Sequence, residues 1–121
     1  MPWKKKIDEK KILDKSISDY LKKISSTLLR GFVLRTPVDT GTLRGGWVVG
    51  VNSPNTSDGS PSTSPTPPIQ LGMGMMRTAT KAEHKIYISN NINYIMAIEN
   101  GHGLNNTPGG IIQATLRTLR R

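Results

Sequence analysis

The segment RTPVDTGTLRGGW, residues 35–47, restricts the possible fold more than any other part of the sequence. Pro37 fixes its own φ and has no backbone N–H, so a helix that precedes it has to end first. Gly41 permits a positive φ, and the two glycines after Arg44 let another backbone pass close by. The segment therefore predicts a rigid corner, with the Asp39 carboxylate accepting main-chain N–H groups in an Asx-type turn. The residues expected to build it are Pro37, Asp39, Gly41, Leu43, Arg44, Gly46 and Trp47.

A long amphipathic helix is expected before this corner. Between Lys10 and about Leu34, apolar residues recur at steps of three and four, which places them on one helix face. We expect that face to pack on the core. A coiled-coil partner is the alternative, but the pattern covers fewer than about four heptads. The face consists of Leu13, Ile17, Tyr20, Leu21, Ile24, Leu28 and Phe32.

Shorter elements are predicted in the rest of the chain. Two β-rich runs, residues 46–51 and 85–89, are expected to be strands. Between them, residues 52–68 are nearly all Ser, Thr, Pro, Asn, Asp or Gly. Such a segment buries too little apolar surface to be ordered alone, so we expect a mobile loop. Helices are expected at residues 71–84, 94–99 and 111–119, the last with Ile112, Leu116 and Leu119 on one face.

These elements predict an α+β fold: a long N-terminal helix packed on a small antiparallel sheet, with short C-terminal helices and a long Ser/Pro-rich loop. The 121 residues make a single domain, residues 1–121, with a flexible basic arm at 1–9 and an extended loop at 52–70. Only 35% of the residues are hydrophobic, so association with further copies would help the chain bury enough surface. We expect neither a membrane span nor a secretory signal.

The formal net charge is +9, and the positive charge is concentrated near the N-terminus. Residues 1–34 hold nine Lys or Arg against four Asp or Glu. This balance favours nucleic acid, anionic lipid or an acidic protein surface as a neighbour, with solubility alone as the alternative.

Catalytic and metal sites are weakly supported. Asp39-Thr40-Gly41 is the tripeptide that carries the catalytic carboxylate of retroviral-type aspartic proteases, which pair two such groups across an all-β homodimer. Here it follows a helix and a proline, so a protease is only a remote alternative. His84 and His102 lack the i, i+4 spacing of a helical zinc site, and the chain has no cysteine. We therefore expect no enzyme, no metal and no cofactor.

Two segments together carry a resemblance: TPVDTGTLRGGW at residues 36–47 and IYISNNINYIMAIENG at residues 86–101. They resemble the neck and tail-completion proteins of tailed bacteriophages, the group that includes the lambda-type minor tail protein Z. The order of helix, corner, Ser/Pro-rich loop, second segment and closing Pro-x-Gly helix also fits that family. Asn93 and Ile95 depart from it, since the family usually has Pro and Ala there. Beyond the corner, the resemblance marks Asn90, Asn91, Tyr94, Ile98, Glu99, Gly101, Pro108 and Gly110.

The resemblance implies a structural virion protein of the head–tail junction, made in the host bacterial cytoplasm. It would form a homo-oligomeric ring, expected to be a hexamer, around the DNA channel. Its partners would be the head connector or stopper and the tail-tube or terminator proteins, with transient nonspecific contact to genomic DNA. Residues that could contact DNA or the connector are Lys4, Lys5, Lys6, Arg117, Arg120 and Arg121.

Two further expectations accompany this interpretation. Arg44 is expected to pair with Glu99, and residues 52–68 are expected to become ordered on assembly. The alternative from another class is a small basic nucleic-acid-binding module. Such a module needs aromatic residues among its basic ones, whereas Trp47 and Tyr94 lie in apolar patterns away from the lysine run.

Overall fold

The structure is a computed structural model that describes residues 9–38, 41–93, 95 and 110–119. It contains helix α1 (Glu9–Arg35), a 3-10 turn (Arg44–Gly46), strand β1 (Trp47–Val51), helix α2 (Thr66–Met76), strand β2 (Ile86–Asn90) and helix α3 (Gly110–Leu119). The predicted basic arm up to residue 8, Asp39 and nearly all of the predicted helix at 94–99 lie outside the described residues.

The predicted α+β class is confirmed. Strands β1 and β2 form a two-stranded antiparallel sheet in which Trp47 lies opposite Asn90 and Val51 lies opposite Ile86. Both strands begin within one residue of the predicted positions. In the described ranges, no helix combines the length and apolar composition that crossing a bilayer requires.

The core lies where the C-terminal half of α1 meets the sheet. Leu29 and Val33 of α1 are fully buried, and the Phe32 and Trp47 rings lie 5.0 Å apart between their centroids. Rings at this separation attract each other beyond the area that they bury. The central cluster is completed by Val49, Met76 and Ile111.

The predicted core face of α1 is wrong in the N-terminal half of the helix. Leu13, Ile17 and Tyr20 are 58%, 45% and 66% exposed. The buried side instead carries Ser18 and Ser25, continuing into Leu29. The turn after α2 lies against this side, because the backbone N–H of Ala82 donates to Asp14 Oδ1 at 3.0 Å. Small serine side chains let the neighbouring segments approach α1 closely, which apolar periodicity alone does not predict.

Helix α2 begins five positions earlier than predicted, at Thr66, and ends at Met76. Pro67 and Pro68 lie in its first turn, where a missing backbone N–H leaves no intrahelical hydrogen bond unmade. The loop after β1 therefore stops at Pro65, and its predicted extension to residue 70 is wrong. The prediction of a helix over residues 71–84 is right up to Met76 and wrong for residues 77–84, which contain turns.

Helix α3 packs along the end of α1. A side chain at Gly31 would come within 2.5 Å of Thr115 Cγ2, and Arg35 Nη2 donates to Thr118 Oγ1 at 2.9 Å. Ile111 and Thr115 form the buried side of α3. The predicted apolar face is left exposed; its residues are Ile112, Leu116 and Leu119.

Candidate assembly site

Within the corner between α1 and β1, the Thr36 side chain links the helix to the strand. The Thr36 hydroxyl donates to the Phe32 carbonyl at 2.6 Å and accepts from the Trp47 indole N–H at 2.7 Å, both buried. Gly41 has φ +83°, the positive value that the sequence predicted. Leu43 and Trp47 are buried, as expected for residues that anchor the corner. Of the other predicted corner residues, Pro37 is half-buried and Gly46 is buried.

Arg44 connects this corner to two other parts of the chain. Its Nε donates to the Val33 carbonyl near the end of α1 at 3.2 Å, and its Nη1 donates to the Thr63 carbonyl at 2.7 Å. A planar guanidinium suits two acceptors that lie in different directions. Glu99 is outside the described residues, so the expected Arg44–Glu99 pair stays a prediction.

The Ser/Pro-rich loop lies directly on the corner. The Ser62 N–H donates to the Gly41 carbonyl at 2.9 Å. A Cβ at Gly45 would overlap the Ser60 carbonyl oxygen, and one at Gly59 would overlap the Gly45 carbonyl oxygen. The loop therefore makes hydrogen bonds within its own chain, which the sequence argument did not consider because it weighed only apolar burial. The expected mobility of the loop and its ordering on assembly stay predictions.

The second resemblance segment meets the first at Asn90, the last residue of β2, and meets the loop at Asn91. Asn90 Nδ2 donates to the Leu43 carbonyl at 2.9 Å, while its Oδ1 accepts the Ile92 N–H at 3.1 Å. Asn91 Nδ2 donates to two loop carbonyls, those of Asn55 and Ser57, at 2.9 and 2.8 Å. The corner, the loop and the turn after β2 therefore form one hydrogen-bonded unit.

A groove lies beside this unit, with a cavity of about 630 Å³. Its floor is β1, including Trp47 and Val49, one wall is the loop from Asn55 to Ser62, and the other wall is α2. Leu71 and Met75 of α2 are 71% and 42% exposed at this wall. We did not predict the groove from the sequence. The signal for it is the run LGMGMM, which is apolar, free of charge and too rich in glycine to fill a core on every side.

The remaining predicted residues contribute less. Arg117 lies on the exposed surface of α3. His84 has a local structural use, since its Nδ1 accepts the backbone N–H groups of Thr80 and Lys81 at 3.0 and 3.1 Å. Within the described part of the chain, no three His, Asp or Glu side chains come together as metal ligands. The predicted residues outside the described ranges are Lys4, Lys5, Lys6, Asp39, Tyr94, Ile98, Glu99, Gly101, Pro108, Arg120 and Arg121.

Comparison with protein families finds no family model that matches the chain, and comparisons with curated proteins and with solved structures find no match either.

Proposed function

We propose that this chain is a structural, non-enzymatic virion protein of the bacteriophage head–tail junction. It forms a homo-oligomeric ring around the DNA channel and joins the tail to the head connector. One observation carries the proposal: the two segments of the resemblance, far apart in sequence, meet through the hydrogen bond from Asn90 to the Leu43 carbonyl. A shared structural unit gives a physical reason for both segments to occur in the same chain and in that order.

The surface of the subunit supports an assembly role. Eleven large hydrophobic side chains are exposed among the described residues. They are concentrated on α1, on α2 beside the groove, and on one face of α3. Single exposed apolar residues are ordinary, but several contiguous ones indicate a contact surface. A protomer with a small core gains stability when neighbouring subunits cover such surfaces.

The fold gives the rival functions less support. A retroviral-type aspartic protease is an all-β protein, whereas the described chain is α+β with a two-stranded sheet. A nucleic-acid-binding module needs aromatic side chains among basic residues, and Trp47 is instead buried against Phe32. In a neck ring, basic residues would contact the passing genome weakly and without sequence preference.

The test is a phage in which a stop codon interrupts this gene. We expect separate filled heads and complete tails in electron micrographs, and joined infectious particles when the wild-type chain is supplied in trans. In the complemented particles, cryo-electron microscopy should locate the chain in the neck. Joined, infectious particles that lack the chain would refute the proposal. Normal particles together with tight binding of the purified chain to DNA would favour the nucleic-acid-binding module.

A further inference from the structure

One face of α1 carries a row of apolar side chains, most of them exposed. We call this row the α1 stripe, and it consists of Leu13, Ile17, Tyr20 and Ile24. The first three are exposed and Ile24 is half-buried. Their spacing of four, three and four places them on one side of the helix over roughly 16 Å. Helix α3 covers the same side only further along, at Gly31 and Arg35.

The groove beside β1 has the complementary shape and composition. It is concave, with Trp47 and Val49 at its floor and the exposed Leu71 and Met75 at its wall. Its volume of about 630 Å³ accommodates several large side chains. An amphipathic helix that enters a groove uses anchors at i, i+3 or i+4, and i+7, which is the spacing of the α1 stripe.

We propose that the α1 stripe of one subunit docks in the β1 groove of a second copy of this chain. The stripe cannot fill the groove of its own subunit, because it faces away from the side of α1 that packs on the sheet and α2. A contact between two different surfaces is heterologous, and repeated contacts of this kind close into a ring when the rotation permits. The inference rests on the proposed function in one respect, since a ring needs a head-to-tail contact.

The distribution of charge favours a second copy as the occupant. Helix α1 holds seven Lys or Arg against three Asp or Glu, whereas Asp58 is the sole charged residue between Arg44 and Arg77. Asp58 is an exposed loop residue at the edge of the groove, which its neighbours Ser57 and Gly59 line. Lys23 follows Tyr20 by one turn on the exposed surface of α1. In the docked arrangement, Lys23 of one subunit is placed to meet Asp58 of the partner subunit.

The test uses one variant for each surface. Ile17→Asp disables the stripe and Leu71→Asp disables the groove, and both residues are exposed, so each variant should fold. Circular dichroism and the thermal midpoint verify the fold.

We expect the wild-type chain to form assemblies well above its 13.3 kDa monomer mass in light scattering. Each variant alone should be monomeric, with association at least about tenfold weaker. Leu34→Asp, an exposed position of α1 outside the stripe, should assemble like wild type.

Mixing the two variants is the decisive measurement. The intact stripe of the Leu71→Asp chain can enter the intact groove of the Ile17→Asp chain, but no third subunit can join. The mixture should therefore form a dimer at twice the monomer mass, and exchanging the charges of Lys23 and Asp58 should preserve wild-type assembly.

Three results would overturn the inference. They are a monomeric wild-type chain, normal assembly of Leu71→Asp alone, and a mixture that stays monomeric. The second result would indicate that the stripes pair with each other, and a monomeric wild-type chain would leave the stripe to a different protein. The two proposals can fail separately. If the mixture forms a dimer but phage particles that lack the chain are joined and infectious, the proposed function is refuted while this contact is supported.

Discussion

The indole N–H of Trp47 donates to the hydroxyl oxygen of Thr36 at 2.7 Å, in a position closed to solvent. This hydrogen bond joins the first residue after α1 to the first residue of β1. The same hydroxyl donates back to the Phe32 carbonyl, and the Phe32 ring lies against the indole. Buried contacts therefore help to fix the direction in which the chain leaves the helix.

Replacing Thr36 with valine should destabilise the chain by about 1–3 kcal/mol, because the buried indole N–H loses its acceptor. Thr36→Ser is the matched control, since it keeps the hydroxyl and removes only a methyl group. Chemical denaturation followed by circular dichroism gives both free energies of unfolding. Equal values for the two variants would show that the hydrogen bond contributes nothing.

Gly45→Ala should cost about 1–3 kcal/mol, since the added methyl overlaps the Ser60 carbonyl oxygen on a backbone that cannot simply rotate away. Gly74→Ala provides the opposite case. Gly74 lies inside α2, and a Cβ added there would meet no atom within 4 Å. Alanine should therefore stabilise the chain by about 0.5–1 kcal/mol. The thermal midpoints of the two variants should move in opposite directions. A stable Gly45→Ala variant would mean that the loop does not rest on the corner in solution.

Arg44→Lys should loosen the loop more than it destabilises the whole chain. An ammonium group cannot reach the Val33 and Thr63 carbonyls in the two directions that the guanidinium serves. Hydrogen exchange read by mass spectrometry should show faster exchange in peptides that contain residues 57–63. Peptides from the core of α1 should exchange as in the wild-type chain. Unchanged exchange in the loop would show that contacts other than those of Arg44 keep the loop ordered.

A pair of identical substitutions in α1 tests the buried face. Leu29→Ala should cost about 2–5 kcal/mol, because Leu29 is fully buried at the centre of the core. Leu34→Ala, in the same helix but exposed, should change the free energy of unfolding by less than about 0.5 kcal/mol. Similar losses at both positions would place the core on a different side of the helix.

Local chemistry predicted α1 and both strands, while the bounds of α2 depended on more than local pattern. Pro37 indicated where α1 ends, and alternation of Ile86 and Ile88 identified β2. The buried face of α1 could not be predicted, because apolar spacing shows which side is hydrophobic but not which side a neighbour covers. The same limit applies to α3, where Ile111 and Thr115 are buried in place of the predicted apolar face.

The candidate site was predictable in part. The resemblance drew attention to Asn90 and Asn91, but their side-chain partners in the corner and the loop required the structure. The groove depends on a loop folding back over β1. A composition of Ser, Thr and Pro gives no sign of this, because the loop carbonyls accept hydrogen bonds from side chains elsewhere in the chain, those of Arg44 and Asn91.

Where Gly45 and Gly59 face each other, two stretches of main chain touch without any side chain between them. A Cβ at either position would overlap the main chain of the other segment. In relatives of this chain, a side chain at either glycine should therefore occur only together with a loop of different length or path. The same close approach recurs where Ser53 and Asn55 lie against Gly50, so length variation among relatives of this chain should be rare between residues 53 and 62.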